Sequence, residues 1–90
     1  MNLDDRAAIP PEVLVRQLGE ETVILDLASG TYFGLDESGT RIWQLLQQGA
    51  TLREVCNAML AEFDAAPQDI ERDVLDLARE LSGRGLIRIA

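Results

Sequence analysis

Val23-Ile24-Leu25-Asp26-Leu27-Ala28-Ser29-Gly30-Thr31-Tyr32-Phe33-Gly34-Leu35-Asp36-Glu37-Ser38-Gly39-Thr40-Arg41-Ile42-Trp43-Gln44-Leu45-Leu46 is the stretch that decides the fold. Val23 to Leu27 is β-branched and apolar and reads as a strand. Ala28-Ser29-Gly30 is a tight turn, with Gly30 free to take a positive φ. Thr31-Tyr32-Phe33-Gly34-Leu35 is a second strand, short and apolar. The period then lengthens to that of a helix, with Ile42, Trp43, Leu45 and Leu46 as its apolar positions. A short strand at a sheet edge leaves backbone N–H and C=O groups unpaired and can accept an extended segment of another chain. Nothing else in the chain looks like chemistry, so the sequence points to a binder of extended peptide.

Outward from this stretch, Pro10-Pro11 interrupts regular pairing, so residues 1–11 are expected to form a flexible N-terminal arm and residues 12–90 the domain. Glu12 to Leu18 reads as a strand, Gly19-Glu20-Glu21 as a turn, and Thr22 to Leu27 as the next strand. Thr31 to Leu35 is then the third. Loops this short imply an antiparallel meander. Asp36 or Ser38 caps a first helix through Gln48, and Gly49 sits where a left-handed C-cap belongs. Thr51-x-x-Glu54 is a capping box that opens a second helix, with Leu52, Val55, Cys56, Met59, Leu60 and Phe63 on one face.

Pro67 suits the first position of a third helix, expected to run to Ser82. Its main stripe is Ile70, Val74, Leu77 and Leu81. Leu75 and Ala78 form a second apolar line, wide enough for a contact beyond the core. Gly83-Arg84-Gly85 ends the helix, and Leu86 to Ile89 is a short terminal strand or hook. The class is α+β: a winged helix-turn-helix with an N-terminal three-stranded antiparallel sheet and three helices. No internal repeat and no low-complexity segment interrupts it.

Composition narrows the function. Apolar residues make up 47% of the 90, enough for one packed core. The net charge is −8, and all eight basic residues are arginine. Such a chain repels phosphate backbones, so no nucleic-acid partner is expected; its field favours a basic segment instead. The later helix, which would enter a DNA groove in related scaffolds, carries Asp69, Glu71, Asp73, Asp76 and Glu80 against Arg72 and Arg79. There is no histidine and a single cysteine, Cys56. That removes the commonest general base, the commonest metal ligand and any intramolecular disulfide. An enzyme is not expected, nor a cofactor or metal. No apolar run approaches the roughly 20 residues of a membrane span, and the N-terminus is acidic where a signal peptide is basic. No membrane partner is expected, and the cytoplasm is the default compartment.

The ordered motifs resemble the PqqD-like family, also described as RiPP recognition elements. The resemblance rests on Val23-Ile24-Leu25-Asp26-Leu27, Gly30-x-Tyr32-Phe33-x-Leu35-Asp36 and Gly39-x-x-Ile42-Trp43-x-Leu45-Leu46. It continues through Gly49-x-Thr51, Glu54-Val55, Asp73-Val74-x-x-Leu77, Leu81 and Gly85-Leu86-Ile87. It spans nearly the whole chain. The family consists of small winged helix-turn-helix domains that hold the leader segment of ribosomally made precursor peptides. Proteins of pyrroloquinoline quinone synthesis typically carry Pro-Glu after the second strand and Asp-Gly before the second helix. This chain has Ala28-Ser29-Gly30 and Gln48-Gly49. Its Tyr32-Phe33-x-Leu35-Asp36 and Ile42-Trp43 are more similar to the free-standing leader-binding proteins of lasso-peptide biosynthesis, which work beside a separate leader peptidase. The alternatives are a quinone-type peptide chaperone acting with a radical SAM enzyme, and a winged-helix transcriptional regulator.

The resemblance implies that a precursor leader peptide adds as an antiparallel strand to Thr31–Leu35. Its apolar side chains then drop into a cleft against the third helix. The expected peptide-binding residues are Thr31, Tyr32, Phe33, Gly34 and Leu35 on the strand. On the helix they are Asp69, Arg72, Asp73, Leu75, Asp76, Ala78 and Arg79. Each has a plainer reading. Phe33 and Leu35 can face the core by strand alternation, leaving Tyr32 on the other side. Gly34 either admits a partner backbone or marks a bulge. Leu75 and Ala78 can fill the core beside Leu77. The charges can be a solvated face, with Arg72 and Asp76 an ordinary i,i+4 pair. Trp43 is expected to pack the first helix on the sheet, and Cys56 to be a buried thiol. A homodimer through an open strand edge is a further expected arrangement.

Overall fold

A computed structural model describes residues 1–89; Ala90, the last residue of the expected domain, lies outside the described residues. The elements follow in the order β1 (Ala7–Ala8), β2 (Val13–Leu18), β3 (Glu21–Asp26), β4 (Thr31–Leu35), α1 (Glu37–Gln47), α2 (Leu52–Glu62), α3 (Pro67–Gly83) and β5 (Arg88–Ile89). The sheet β2-β3-β4 is an antiparallel meander with β3 in the centre. Three helices with this sheet make the α+β fold that the sequence suggests. A two-stranded pair, β1 with β5, is an addition to it.

Local chemistry sets the boundaries. Asp26 organises the β3–β4 turn: its side chain accepts from the Ala28 N–H at 3.1 Å and the Ser29 hydroxyl at 2.9 Å. Gly30 closes the turn at φ +72°, a conformation a side chain would strain. Asp36, not Ser38, caps α1, accepting from the Gly39 N–H at 2.9 Å. Gly49 ends α1 at φ +85°, and the N–H groups of Gly49 and Ala50 reach back to the carbonyls of Leu46 and Leu45. This is a Schellman closure. The expected capping box opens α2, with Glu54 N–H on Thr51 Oγ1 at 3.1 Å and Thr51 N–H on Glu54 Oε1 at 2.8 Å.

Parity then decides what is buried. Val13, Thr22, Ile24 and Leu35 share one face of the sheet and are buried beneath the helices. Trp43 and Leu46 of α1, Leu52 and Val55 of α2, and Val74 and Leu81 of α3 complete the core with Ile87. The opposite sheet face carries Leu14, Arg16, Leu18, Val23, Leu25 and Tyr32, and no helix covers it.

The N-terminal segment departs from the unpaired arm expected for residues 1–11. Ala7 and Ala8 pair with Ile89 and Arg88. The Leu52 and Arg53 N–H groups donate to the carbonyls of Asp5 and Leu3 at 3.0 and 2.7 Å. A helix leaves its first N–H groups without intrahelical partners. Here the N-terminal segment accepts from two of them and Thr51 from a third. Pro10-Pro11 limits the pairing instead of preventing it, because two paired residues before it suffice to dock the segment.

Candidate functional site

β4 pairs with β3 on one side, and its other edge has no strand partner among the described residues. That edge borders an open groove of about 470 Å³ between β4 and α3. Leu35 and Ile42 form its buried floor, and half-buried Phe33 and Leu77 form facing walls. Asp73, Asp76 and Glu80 stand along the α3 rim, and Asp36 and Ser38 at the start of α1 close one end. Toward the end of α3, the Arg84 guanidinium lies over the Phe33 ring, 4.9 Å from its centroid, while bonding Glu80 Oε1 at 3.3 Å. An apolar trough flanked by backbone donors and acceptors is suited to an extended peptide with apolar side chains.

The groove brings together Phe33, Gly34, Leu35, Asp73 and Asp76 of the residues singled out in the sequence. Thr31 starts β4 and is exposed, its hydroxyl 2.7 Å from that of Ser29. Tyr32 is 75% exposed and lies on the sheet face away from the groove. Gly34 sits in unbroken register opposite Val23, so no bulge is present. A Cβ there would meet nothing within 4 Å.

On α3 the expected apolar line must be corrected. Ala78 is 0% exposed and belongs to the core, not to the groove lining. Leu75 is half-buried and does not line the groove. The wall is Leu77, roughly 160° around the helix from Leu75 at 100° per residue. The row Asp73, Leu77, Glu80, Arg84 runs at spacings of four, three and four, so it forms one flank facing β4. Leu77, Arg84 and Ile42 are not assigned to the site from sequence, and Glu80 is read there only among the charged residues of the third helix. That helical spacing beside an apolar strand was the signal available.

Asp69, Arg72 and Arg79 lie outside the groove. Arg72 contacts Asp69 and Asp73 at 3.3 and 3.5 Å, and Arg79 contacts Asp76 at 3.7 Å. These are exposed pairs, each adding at most about 1 kcal/mol. Cys56 is buried, and burial pushes its thiol pKa upward, which leaves it a poor nucleophile. Among the described residues no group of three His, Cys, Asp or Glu side chains is placed to hold a metal. No described helix is long and apolar enough to cross a membrane.

The family model of coenzyme PQQ synthesis protein D (PqqD) matches residues 21–87. No curated protein matches the chain. Two solved structures are similar over nearly its full length. One is TbiB1 in complex with the TbiA(beta) leader peptide, 39% identical, covering 89% of this chain and 93% of that one, with a TM-score of 0.85. The other is lasso peptide synthetase B1 complexed with the leader peptide, 29% identical, covering 92% and 98%, also at 0.85. The match across most of the chain, on a fold with a vacant strand edge over an apolar groove, shows that it belongs to the PqqD family, as a PqqD-like RiPP recognition element.

Proposed function

We propose that this protein binds the leader segment of a ribosomally synthesised precursor peptide by strand addition to β4 and presents it to a maturation enzyme. The unpaired edge of Thr31–Leu35 over the Phe33–Leu77 groove is the observation that carries this reading. Each hydrogen bond added along the edge contributes about 0.5–1.5 kcal/mol net. Ordering a disordered segment costs about 2–5 kcal/mol, so pairing alone gives weak capture. Apolar leader side chains against Phe33, Leu35, Ile42 and Leu77 supply the rest, at roughly 1.5–3 kcal/mol for each fully buried Leu-sized group. Two or three such anchors bring the complex to about micromolar affinity.

The role is non-catalytic, and the enzyme served is the leader peptidase of a lasso-peptide pathway. The two leader-bound relatives, similar from end to end, support that subtype. The matching family model favours a second reading, a quinone-type chaperone acting with a radical SAM enzyme. We read α2, α3 and β5 as a winged helix-turn-helix turned from nucleic acid to peptide. The exposed acids of α3 would repel a duplex, which opposes a transcriptional regulator. The test is an amide NMR titration with a precursor leader peptide, starting from the TbiA(beta) leader bound by the 39% identical relative. Resonances of Thr31 to Leu35 should move and saturate; a titration that leaves them in place rejects strand addition.

A further inference from the structure

Helix α1 has two working sides. Ser38 and Ile42 line the groove; Glu37, Thr40, Arg41 and Gln44 share another side and line a polar pocket of about 200 Å³. This pocket lies where the β2–β3 hairpin, α1 and the end of α2 meet. A hydrogen-bond network fixes much of its wall. Arg41 donates to the two Glu62 oxygens at 2.8 and 3.0 Å and to Gln44 Oε1 at 3.4 Å, and Gln44 donates to Gln17 Oε1 at 3.1 Å. Three groups are left over. Glu20 and Glu37 have no ion-pair partner among the described residues. Thr40 is only 4% exposed, and its hydroxyl is buried with no hydrogen bond. Buried hydroxyls are paired as a rule, so an orphan lining a pocket points to a donor on a ligand.

Charge and size restrict that ligand. Glu20, Glu37 and Glu62 against Arg41 leave the pocket negative, so the donor it fits is a cation. The space is that of one long side chain, too small for a peptide segment. An ammonium or guanidinium group there can donate to both free carboxylates and to the Thr40 hydroxyl, with its alkyl stem along the half-buried Phe63 ring. Position names the bearer. A strand added antiparallel to β4 begins beside Leu35, so the chain upstream of it leaves the groove at Asp36 and Ser38. From Ser38 and Ile42 a hollow of about 210 Å³ continues to Phe63. Phe63 also lines the acidic pocket. The three depressions form one track around the start of α1, and the pocket is its far end.

We infer that this pocket takes the side chain of a Lys or Arg lying a few residues upstream of the strand that the leader adds to β4. The inference rests on the leader-binding reading above and extends it: selection of the precursor continues past the groove, through a cation that Glu20, Glu37 and Thr40 bind. A leader with that cation is held at two separated places, which fixes its register along β4 as well as its affinity.

The TbiA(beta) leader bound by the 39% identical relative is the starting probe. Amide NMR defines the part of it that pairs with β4. That part is synthesised with an upstream extension of about six Gly or Ser residues, reaching roughly 20 Å, in which Lys stands at one position or at none. Kd is measured by fluorescence anisotropy at low salt, and melting temperature is followed for every variant. Lys at one position or two neighbouring ones should tighten binding about fivefold or more, and Lys elsewhere should change it less than twofold. The favourable Lys should also move the amide resonances of Gly19, Glu20 and Thr40, which the Lys-free peptide leaves in place. Glu20→Gln with Glu37→Gln should cancel the gain and keep the Lys-free Kd within twofold. Glu12→Gln with Glu71→Gln removes the same charge outside the pocket and should preserve the gain. Thr40→Val should reduce it without lowering the melting temperature, since the hydroxyl has no partner to lose. A gain equal at all positions, or cancelled alike by both pairs of substitutions, is attraction to the overall charge and overturns the pocket. No gain at any position, with the Lys-free peptide still bound, overturns it and leaves leader binding standing. A full-length leader that fails to bind rejects the underlying reading, and this inference with it.

Discussion

Leu77→Ala tests the groove, and Leu75→Ala is its matched control. Both are half-buried leucines of α3 packed at the margin of the core. Leu77 lines the groove, and Leu75 lies roughly 160° away around the helix. Fully burying a Leu side chain is worth about 1.5–3 kcal/mol, so truncating a half-buried one costs about 1 kcal/mol of folding at either position. In a domain of this size that lowers the melting temperature by about 4–8 °C. The exposed half of Leu77 is covered only when a peptide fills the groove. Leu77→Ala should therefore lose a further 1 kcal/mol or so of leader affinity, about a fivefold rise in Kd. Leu75→Ala should leave Kd within about twofold, a change of under 0.5 kcal/mol. Leu77→Asp adds a carboxylate beside Asp73 and Glu80, and the loss should exceed about tenfold. Fluorescence anisotropy with labelled leader and thermal melts supply both readings. Equal Kd shifts at the two positions, or a loss at Leu75 alone, would place the leader elsewhere.

Deleting residues 1–9 removes β1 and the carbonyls that accept from Leu52 and Arg53. Two unpaired helix donors cost about 2 kcal/mol, so the melting temperature should drop by about 8–16 °C; an unchanged melt would show the segment to be dispensable. Hydrogen bonds from the Thr51 backbone and hydroxyl hold the Glu54 carboxyl below its ordinary 4.5. A lowered folded pKa gives stability that is present above about pH 4.5 and lost as acid carries the solution through the folded value. Glu54→Gln should therefore flatten the acid limb of a urea-denaturation series without steepening it. The Arg41 guanidinium, 2.8 Å from Glu62, depresses that carboxyl in the same direction, and Glu62→Gln should act likewise. Iodoacetamide should modify Cys56 in the folded protein at least about tenfold more slowly than in urea, because burial raises its thiol pKa and blocks access. Equal rates would mean an exposed thiol.

The sequence made legible whatever local chemistry controls. Gly30, Asp36, Thr51 with Glu54, Gly49 and Pro67 each act within a few residues, and the structure has turns, caps and helix starts at them. The meander was also readable, because loops too short for a crossover leave antiparallel neighbours as the outcome. The docking of residues 1–11 was not. Its partners, Leu52, Arg53, Arg88 and Ile89, lie far along the chain, and no local pattern announces a carbonyl placed over a distant helix start. The groove wall failed for a different reason. Ile70, Val74, Leu77, Leu81, Leu75 and Ala78 cover so wide an arc of α3 that hydrophobicity alone does not fix its centre. Rotation of the helix is set by what it packs against. With Val74 at 1% and Ala78 at 0% exposure under α2 and the core, Leu77 turns to β4 and Leu75 turns away.

The same ambiguity hides the outer sheet face. Along β2, β3 and β4 both parities are rich in apolar side chains: Val13, Val15, Ile24, Phe33 and Leu35 on one, Leu14, Leu18, Val23, Leu25 and Tyr32 on the other. A sheet with one face to water normally alternates apolar with polar. Absence of that alternation is itself a signal, since a two-sided apolar sheet needs two covers and this chain has helices enough for one. β4 lies at the junction: Phe33 and Leu35 face the groove, Tyr32 faces the uncovered side, and its backbone edge stays unpaired between them. A peptide strand added at that edge contributes side chains to both faces at once. Its inward residues are held by the groove and its outward residues are displayed. On this geometry, capture and presentation of a leader are one act, and a substitution on the leader should affect either binding or processing according to its parity in the strand.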